Sequence, residues 1–325
     1  IRGDATRFWK RRTSREGVIL VTGHRGMIGS ALSAHLRTLG YSVRGLTRSP
    51  SGEDEFGWDP MKGSLDPAAL EGLTAVVHLA GAGIADHRWT PSYKETLMES
   101  RRQGTRLLAE KLAALSEPPP VLVSVSGANF YPLDGKPHGE GGPHGEGFLA
   151  KVCEAWEGAA DLAREAGLRV VHPRLGVVLS PRGGALAKML PAFRGGVGGP
   201  IGSGRQMFSW IGLHDAVDIL VRAIEDERYE GPVNAVAPEA LPQREFARTL
   251  GRVLRRPSFA PLPAPVVRTL FGREMADETL LADLNLVPNK LREWGYGWRH
   301  GDLEAALRYY LGRPTKEART ALLAD

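Results

Sequence analysis

The sequence predicts an α/β protein, a doubly wound parallel sheet with helices on both faces and a smaller, interleaved C-terminal domain. Three observations lead there. Short apolar runs rich in β-branched residues alternate with stretches of helical periodicity, the pattern of parallel strands joined by crossover helices. A glycine turn directly follows the first of those runs. Past about Ser180 the composition turns to glycine and then to proline, so a loop-rich unit follows the alternating one.

Val18-Ile19-Leu20-Val21 is a continuous apolar run ending in Thr22-Gly23, as expected of a strand buried on both faces. Gly26 and Gly29 come next, and Ile28, Leu32, Leu36 and Leu39 at helical spacing define an amphipathic helix closed by Gly40. Ser42–Thr47 makes a second strand, and Ala75–Leu79, ending in Ala80-Gly81, a third. Ser92–Leu115 reads as a long helix stopped by Pro118-Pro119-Pro120. Val121–Val125 reads as a strand, Phe148–Gly167 as a helix and Arg169–His172 as a strand. Eight glycines between Gly183 and Gly204 suggest loops able to close over a site. Residues 214–230 read as a helix, Val233–Ala237 as a strand returning to the sheet and Arg244–Leu254 as a helix, before Pro257, Pro261, Pro263 and Pro265 punctuate the rest. The expected division is a basic extension over 1–16, a nucleotide-binding domain over 17–180, a C-terminal substrate-side region over 181–312 whose 214–238 returns to the sheet domain, and a tail over 313–325.

Composition narrows the function. With 325 residues, 42% hydrophobic and 24% charged, the chain is long enough for a well-buried core and has the balance of a globular protein. No run approaches the roughly 18 apolar residues of a membrane-spanning helix. A single cysteine, Cys153, forms no internal disulfide and fits a reducing compartment. The formal charge of +5 is no nucleic-acid signature by itself, and +4 of it sits in residues 1–16, with Arg2, Arg7, Lys10, Arg11, Arg12 and Arg15 against Asp4 and Glu16. That opening reads either as the remnant of an organelle-targeting leader or as a solvated basic arm that meets protein or RNA. A mitochondrial matrix location is expected, with plastid or cytoplasm as alternatives.

The chemistry is concentrated at the glycine turn. In Gly23-x-x-Gly26-x-x-Gly29, the backbone amides of Gly23, Gly26, Met27, Ile28 and Gly29 lie where a dinucleotide's pyrophosphate meets a helix N-terminus, and a β-carbon there would block its approach. An NAD site expects an acid at the end of the second strand, but Leu46-Thr47-Arg48 offers a hydroxyl and a cation, with Arg25 as a second cation nearby. A 2′-phosphate suits them better, so NADP(H) is the expected cofactor; the alternative is that Arg48 is a solvated loop residue.

Val21-Thr22-Gly23-His24-Arg25-Gly26-Met27-Ile28-Gly29, Val77-His78-Leu79-Ala80-Gly81-Ala82 and Gly198-Gly199-Pro200-Ile201-Gly202-Ser203-Gly204-Arg205-Gln206, with Ser209-Trp210-Ile211, resemble the short-chain dehydrogenase/reductase superfamily. Within it the chain is most similar to the atypical, nucleoside-diphosphate-sugar-epimerase-like group of SDR39U type, from about Val18 to Leu311. The resemblance implies a Rossmann fold, NADP(H) at the glycine turn with Arg48 near the adenosine phosphate, and Leu79, Ala80, Gly81, Ser124 and Arg174 among the cofactor contacts. It also implies a substrate pocket under the C-terminal segments, for a small polar or sugar-like molecule.

Ordinary members use a Tyr-x-x-x-Lys helix whose lysine lowers the tyrosine's pKa for proton exchange. Here the corresponding helix begins Phe148-Leu149-Ala150-Lys151-Val152-Cys153. The substitutes are Ser126, after the preceding strand, and Tyr131, which is either a proton donor or an aromatic packed under a loop. Cys153 reads as core rather than nucleophile, and Lys151 as a solvated helix residue. His138 and His144 lack partners at metal-ligand spacing, so no metal is expected. Gly212 and Gly83 stand where the group more usually has a histidine and a polar residue. Two functions remain: a cofactor-bound accessory subunit, structural or for assembly, of a larger organellar complex, or an active NADP-dependent oxidoreductase or sugar-nucleotide epimerase with a non-standard catalytic set.

Overall fold

The computed structural model describes residues 16–314; nearly all of the basic extension and most of the tail lie outside the described residues. Alternation within the apolar strands decides the architecture. Ile19 and Val21 join one core and Leu20 the other; Ala75 and Val77 divide from Val76, and Val121 and Val123 from Leu122, in the same way. Strands apolar on both sides need cover on both sides, which helices supply.

The strands of the main sheet are β1 (Val18–Thr22), β2 (Ser42–Thr47), β3 (Glu55–Asp59), β4 (Ser64–Leu65), β5 (Leu73–His78), β6 (Val121–Ser124), β7 (Ser126–Gly127), β8 (Arg169–Leu175) and β9 (Gly231–Ala235), with short two-stranded pairs outside it. Their order is β9-β8-β6-β5-β1-β2-β3-β4, with β7 beside β8. All pairings are parallel except β3 with β4. The chain builds outward in one direction from β1 and in the other from β5, so the Rossmann switch point lies between their C-terminal ends. Helices α1 (Met27–Thr38), α2 (Pro91–Ala113), α3 (Phe148–Gly158), α4 (Asp161–Glu165), α5 (Gly184–Arg194), α6 (Leu213–Glu225), α7 (Gln243–Leu254), α8 (Ala264–Phe271), α9 (Arg273–Glu278), α10 (Asn289–Glu293) and α11 (Leu303–Tyr310) complete the chain. α1 and α6 cover one face of the sheet, α2 and α4 the other.

Several elements depart from expectation. The edge pair β3–β4 has no apolar run to announce it: along β3 only Trp58 is fully buried. The helix expected over Phe148–Gly167 is two, because at Ala160 and Ala163 the amides bond three residues back, to Glu157 and Ala160. The glycine-rich stretch contains α5, whose Leu186, Leu190 and Phe193 at helical spacing pack with α7 and α11. The loop-rich C-terminal part holds four short helices, and Pro265 sits in the first turn of α8, where a missing N–H costs nothing.

Because Leu20 is fully buried and Phe259 is 80% exposed, Leu20→Ala is expected to cost about 2–5 kcal/mol in chemical denaturation. Phe259→Ser should stay within about 0.5 kcal/mol of the parent.

Candidate functional site

At the switch point the glycines have different duties. Gly23 has φ +65°, and a β-carbon on it would lie 3.1 Å from both the Leu79 carbonyl carbon and the Ala80 nitrogen. A β-carbon on Gly29 would collide with the Gly23 carbonyl oxygen. Both are required by the chain's own packing. A side chain on Gly26 would meet only the Gly23 oxygen, at 3.2 Å, so the approach on that side is open. Gly26 is also the N-cap of α1; no side chain accepts the first amides and no acid stands in the first turn. Free N–H groups at the positive end of a helix, reached across a bare glycine, fit a pyrophosphate. Met27 packs under the glycine-rich segment, its sulfur 3.3 Å from where a Gly183 side chain would begin. Lys188 Nζ of α5 donates to the Ala85 carbonyl at 2.8 Å, tying that segment to the loop after β5.

The opposite wall is held by two residues the sequence reading missed as a pair. The Thr22 hydroxyl accepts the amides of Leu79 (3.0 Å) and Ala80 (3.1 Å), so its proton goes to His78 Nδ1, 2.7 Å away. His78 therefore carries its own proton on Nε2, which has no partner among the described residues. Burial, helped by the charge of Arg101, pulls the imidazole pKa down to about 3. This arrangement fixes Leu79-Ala80-Gly81. Below it the Arg101 guanidinium donates to the carbonyls of Leu97 and Ala82, each at 3.0 Å.

Just past the end of β2 Arg48 is exposed and makes no hydrogen bond or ion pair among the described residues. Arg25 does not stand free beside it. Its Nε and Nη2 donate to the two oxygens of Glu55, at 2.9 and 2.5 Å, and Nη2 also reaches Ser51 Oγ at 2.7 Å. Glu55 further accepts His24 Nε2 (2.7 Å) and the amides of Ser51 and Gly52. These donors, Arg25 first and His24 next, hold its carboxyl well below the usual carboxylate range. No local signal marks Glu55, because its cationic partner Arg25 and its partner His24 lie 30 and 31 residues away and β3 is unannounced.

The other end turns on α3. Phe148 meets Trp89 edge-on, ring centroids 5.2 Å apart, and Lys94 Nζ lies 4.4 Å from its ring centroid. Glu278, at the end of α9, accepts the amides of Phe148 (2.8 Å) and Leu149 (2.7 Å), so a C-terminal carboxylate caps this helix. Lys151 is exposed. Cys153 is buried, its thiol pushed up to about 11 by that burial. Ser124 and Ser126 are buried; the Ser124 hydroxyl finds no partner among the described residues, and Ser126 lies beside the Cys153 thiol.

Tyr131 and Arg174 are brought together, but inside the core. The Tyr131 hydroxyl donates to Asn234 Oδ1 at 2.8 Å and accepts from Arg174 Nη1 at 2.7 Å; the side chain has no exposed surface, and burial pushes the phenol up to about 12. Such a group packs and braces; it has no face from which to give a proton to a ligand. Arg174, expected at the cofactor, is committed to Glu157 through two 2.8 Å bonds and lies 3.4 Å from the Phe130 ring centroid. At Gly212 the Tyr310 hydroxyl sits 2.8 Å from where a side chain would start, so a residue with a side chain there would have to displace it. Among the described residues no three His, Cys, Asp or Glu side chains gather as metal ligands, and no helix is long and apolar enough to cross a membrane. A cavity of about 260 Å³ opens between the Arg88-Trp89-Thr90 loop and the Phe271–Met275 segment.

Comparison with known proteins matches this geometry. The sequence profile of the NAD dependent epimerase/dehydratase family matches residues 19–235, and a domain of unknown function, DUF1731, matches residues 262–309. An epimerase family protein of Mycobacterium tuberculosis is 40% identical over 299 residues, covering 91% of this chain and 98% of that one. A chloroplastic SDR39U1 homologue of Arabidopsis thaliana is 35% identical, covering 89% of this chain and 85% of its own. The crystal structure of human epimerase family protein SDR39U1 with NADPH superposes with a TM-score of 0.84 at 36% identity, covering 91% of this chain and all of that one.

Two measurements probe the walls of the crevice. With Arg25 committed to Glu55, Arg48→Asp is expected to weaken NADPH binding about tenfold or more and NADH binding little, as read by titrating nicotinamide fluorescence; equal losses for both would remove Arg48 from phosphate recognition. His78 has a folded pKa of about 3, below an unfolded value of roughly 6.5. The unfolded chain thus takes the proton first, and His78's contribution to stability, complete above roughly pH 6.5, is lost as pH falls toward 3. Denaturation of wild type and His78→Gln across that range should show the shallower acid loss in the variant.

Proposed function

The chain belongs to the NAD dependent epimerase/dehydratase family, and from that premise we propose that it holds NADP(H) between the glycine turn and the Leu79-Ala80-Gly81 strand end without ordinary dehydrogenase turnover, as an accessory structural or assembly subunit of an organellar complex. When bound, the cofactor would supply a hydride donor or acceptor. The chain's own residues would supply the rest: the amides of Met27 and Ile28 for the pyrophosphate, with the Gly26 amide closing the turn on the Gly23 carbonyl at 2.9 Å, Arg48 for the 2′-phosphate, and the glycine-rich segment over Met27 to limit water. What is missing is a proton path. What supports this reading is the start of α3, where Phe148 packs on Trp89 and Lys94 and the sequence runs Phe148-Leu149-Ala150-Lys151-Val152-Cys153.

The location follows from the same reading. The Arg-rich opening, together with a chloroplastic relative, supports an organellar setting; the mitochondrial matrix is our preferred one, with plastid and cytoplasm as alternatives. The opening segment would also be the surface that meets protein or RNA in a larger assembly.

A second reading has its own support. The cavity beside Trp89 and the buried hydroxyls of Ser124, unpartnered among the described residues, and Ser126, beside the Cys153 thiol, favour an active NADP-dependent oxidoreductase or sugar-nucleotide epimerase with an unusual proton donor. The two readings separate in one experiment, in which purified protein is titrated with NADPH and then assayed for NADPH oxidation and epimer formation with carbonyl compounds and nucleoside-diphosphate sugars. The first expects stoichiometric binding with no turnover, and migration with a multiprotein complex on native gels of the organelle. Steady turnover abolished by Ser126→Ala would replace it with the second.

A further inference from the structure

Helix α5 begins beside Met27 at the crevice and ends at a surface of a different kind. There α5 and α7, which share a core through Leu186, Leu190 and Phe193 on one and Leu250 and Val253 on the other, stop side by side. A β-carbon on Gly196 would lie 3.7 Å from the Pro257 ring, and one on Gly199 would collide with the Ala260 carbonyl. The turns beyond the two helices carry Val197, 68% exposed, and Phe259, 80% exposed. Arg194 precedes one turn and Arg255 and Arg256 the other; all three are exposed, and none has a side-chain hydrogen bond or ion pair among the described residues. The chain has no Asp or Glu between Glu165 and Asp215, nor between Glu245 and Glu274. Glu304, which reaches α7 from α11, is taken by Arg252 and Arg308.

One of these cations is held against the backbone's preference. Arg255 caps α7 at φ +55°, the only residue other than glycine with a positive φ among the described residues. Glycine fills that left-handed position without cost, and a side chain there is disfavoured. A helix C-terminus does welcome a cation, but Arg252 in the last turn already supplies one. A strained arginine where glycine fits better, four residues before a phenylalanine the core does not use, points to a role at this surface. Nucleic-acid bases need stacking faces, and Phe259 has for exposed apolar neighbours only Pro257 and Val197. Aliphatic and aromatic groups beside unpaired cations suit a bilayer interface, where the apolar groups enter the boundary between headgroups and acyl chains and the guanidiniums meet lipid phosphates and carboxylates. Each such cation strengthens binding about fivefold. We propose that the tip formed by the ends of α5 and α7 docks peripherally on a membrane rich in anionic lipid, with Phe259 and Val197 entering it. The inference is independent of the cofactor reading.

Flotation with vesicles of phosphatidylcholine, alone or with about one-third phosphatidylserine, tests it on the whole chain. Wild type is expected to bind the anionic vesicles only, and less as salt rises. Phe259→Ser, and Arg255→Gln together with Arg256→Gln, should each weaken that binding about tenfold or more. Arg102→Gln with Arg106→Gln, which removes the same charge from α2, should stay within about twofold. Arg255→Gly is expected to bind about fivefold more weakly while melting no lower than wild type, because glycine accepts the left-handed cap. The Arg-rich opening is present in every variant, so its contribution cancels. Equal loss in the α2 variant would reduce the binding to general charge attraction and overturn the proposal. Wild type that ignores anionic vesicles would overturn it too, as would Phe259→Ser that binds as tightly as wild type. Binding of a uridine homopolymer that the tip variants lose, with no vesicle binding, would put a single-stranded nucleic acid in the membrane's place. Should the double arginine variant not fold, Phe259→Ser and Arg255→Gly decide.

Discussion

Everything in this molecule that faces a ligand depends on how closely the ends of β1 and β5 approach. Gly23 fits against Leu79 and Ala80 only because it has no side chain and adopts φ +65°. Thr22, one residue earlier, then fastens the same two amides with a single hydroxyl. A larger residue at either place would part the strands and with them the crevice. The parallel sheet sets the two ends side by side, and this local contact sets how closely they approach.

Around that contact, the polar residues sort by whether the chain already uses them. Tyr131, Arg174, Asn234 and Glu157 form a buried network in which every member named has a partner. It ties β8 and β9 to α3 and to the loop after β7. Fully satisfied networks of this kind give specificity to a core, and chemistry is not available from them. The uncommitted groups lie elsewhere: Gly26 with its open side and the exposed Arg48. Commitment, more than residue type, separates scaffold from site here.

That distinction explains what the sequence made legible. The register of β2 at Ser42–Thr47, the glycine turn and α1 were readable because each is specified by neighbours within a few residues. The apolar period identified sheet strands, and glycine spacing identified a helix start open to an anion. Arg25–Glu55, Thr22–His78 and Glu278–Phe148 span 30, 56 and 130 residues, and no local pattern encodes them. Residue type left Tyr131 open between a proton donor and a packed aromatic and suggested a cofactor contact for Arg174; only the tertiary structure showed the hydrogen bonds the two make with each other, Asn234 and Glu157.

The capping of α3 carries the same logic into the C-terminal part. The first amides of a helix require acceptors, and here Glu278 provides them from a segment 130 residues away, with Asn129 Nδ2 donating to the Glu278 carbonyl at 2.7 Å beside it. Trp89 against Phe148 and Lys94 against Glu274 close the same seam. Helix α3 is thus stapled to the C-terminal helices at the end where a proton relay would need to stay open to a substrate. That end of α3 is therefore held by the chain itself, its first amides by one carboxylate from the C-terminal helices and its first side chain by an aromatic and a lysine from the segment before and within α2.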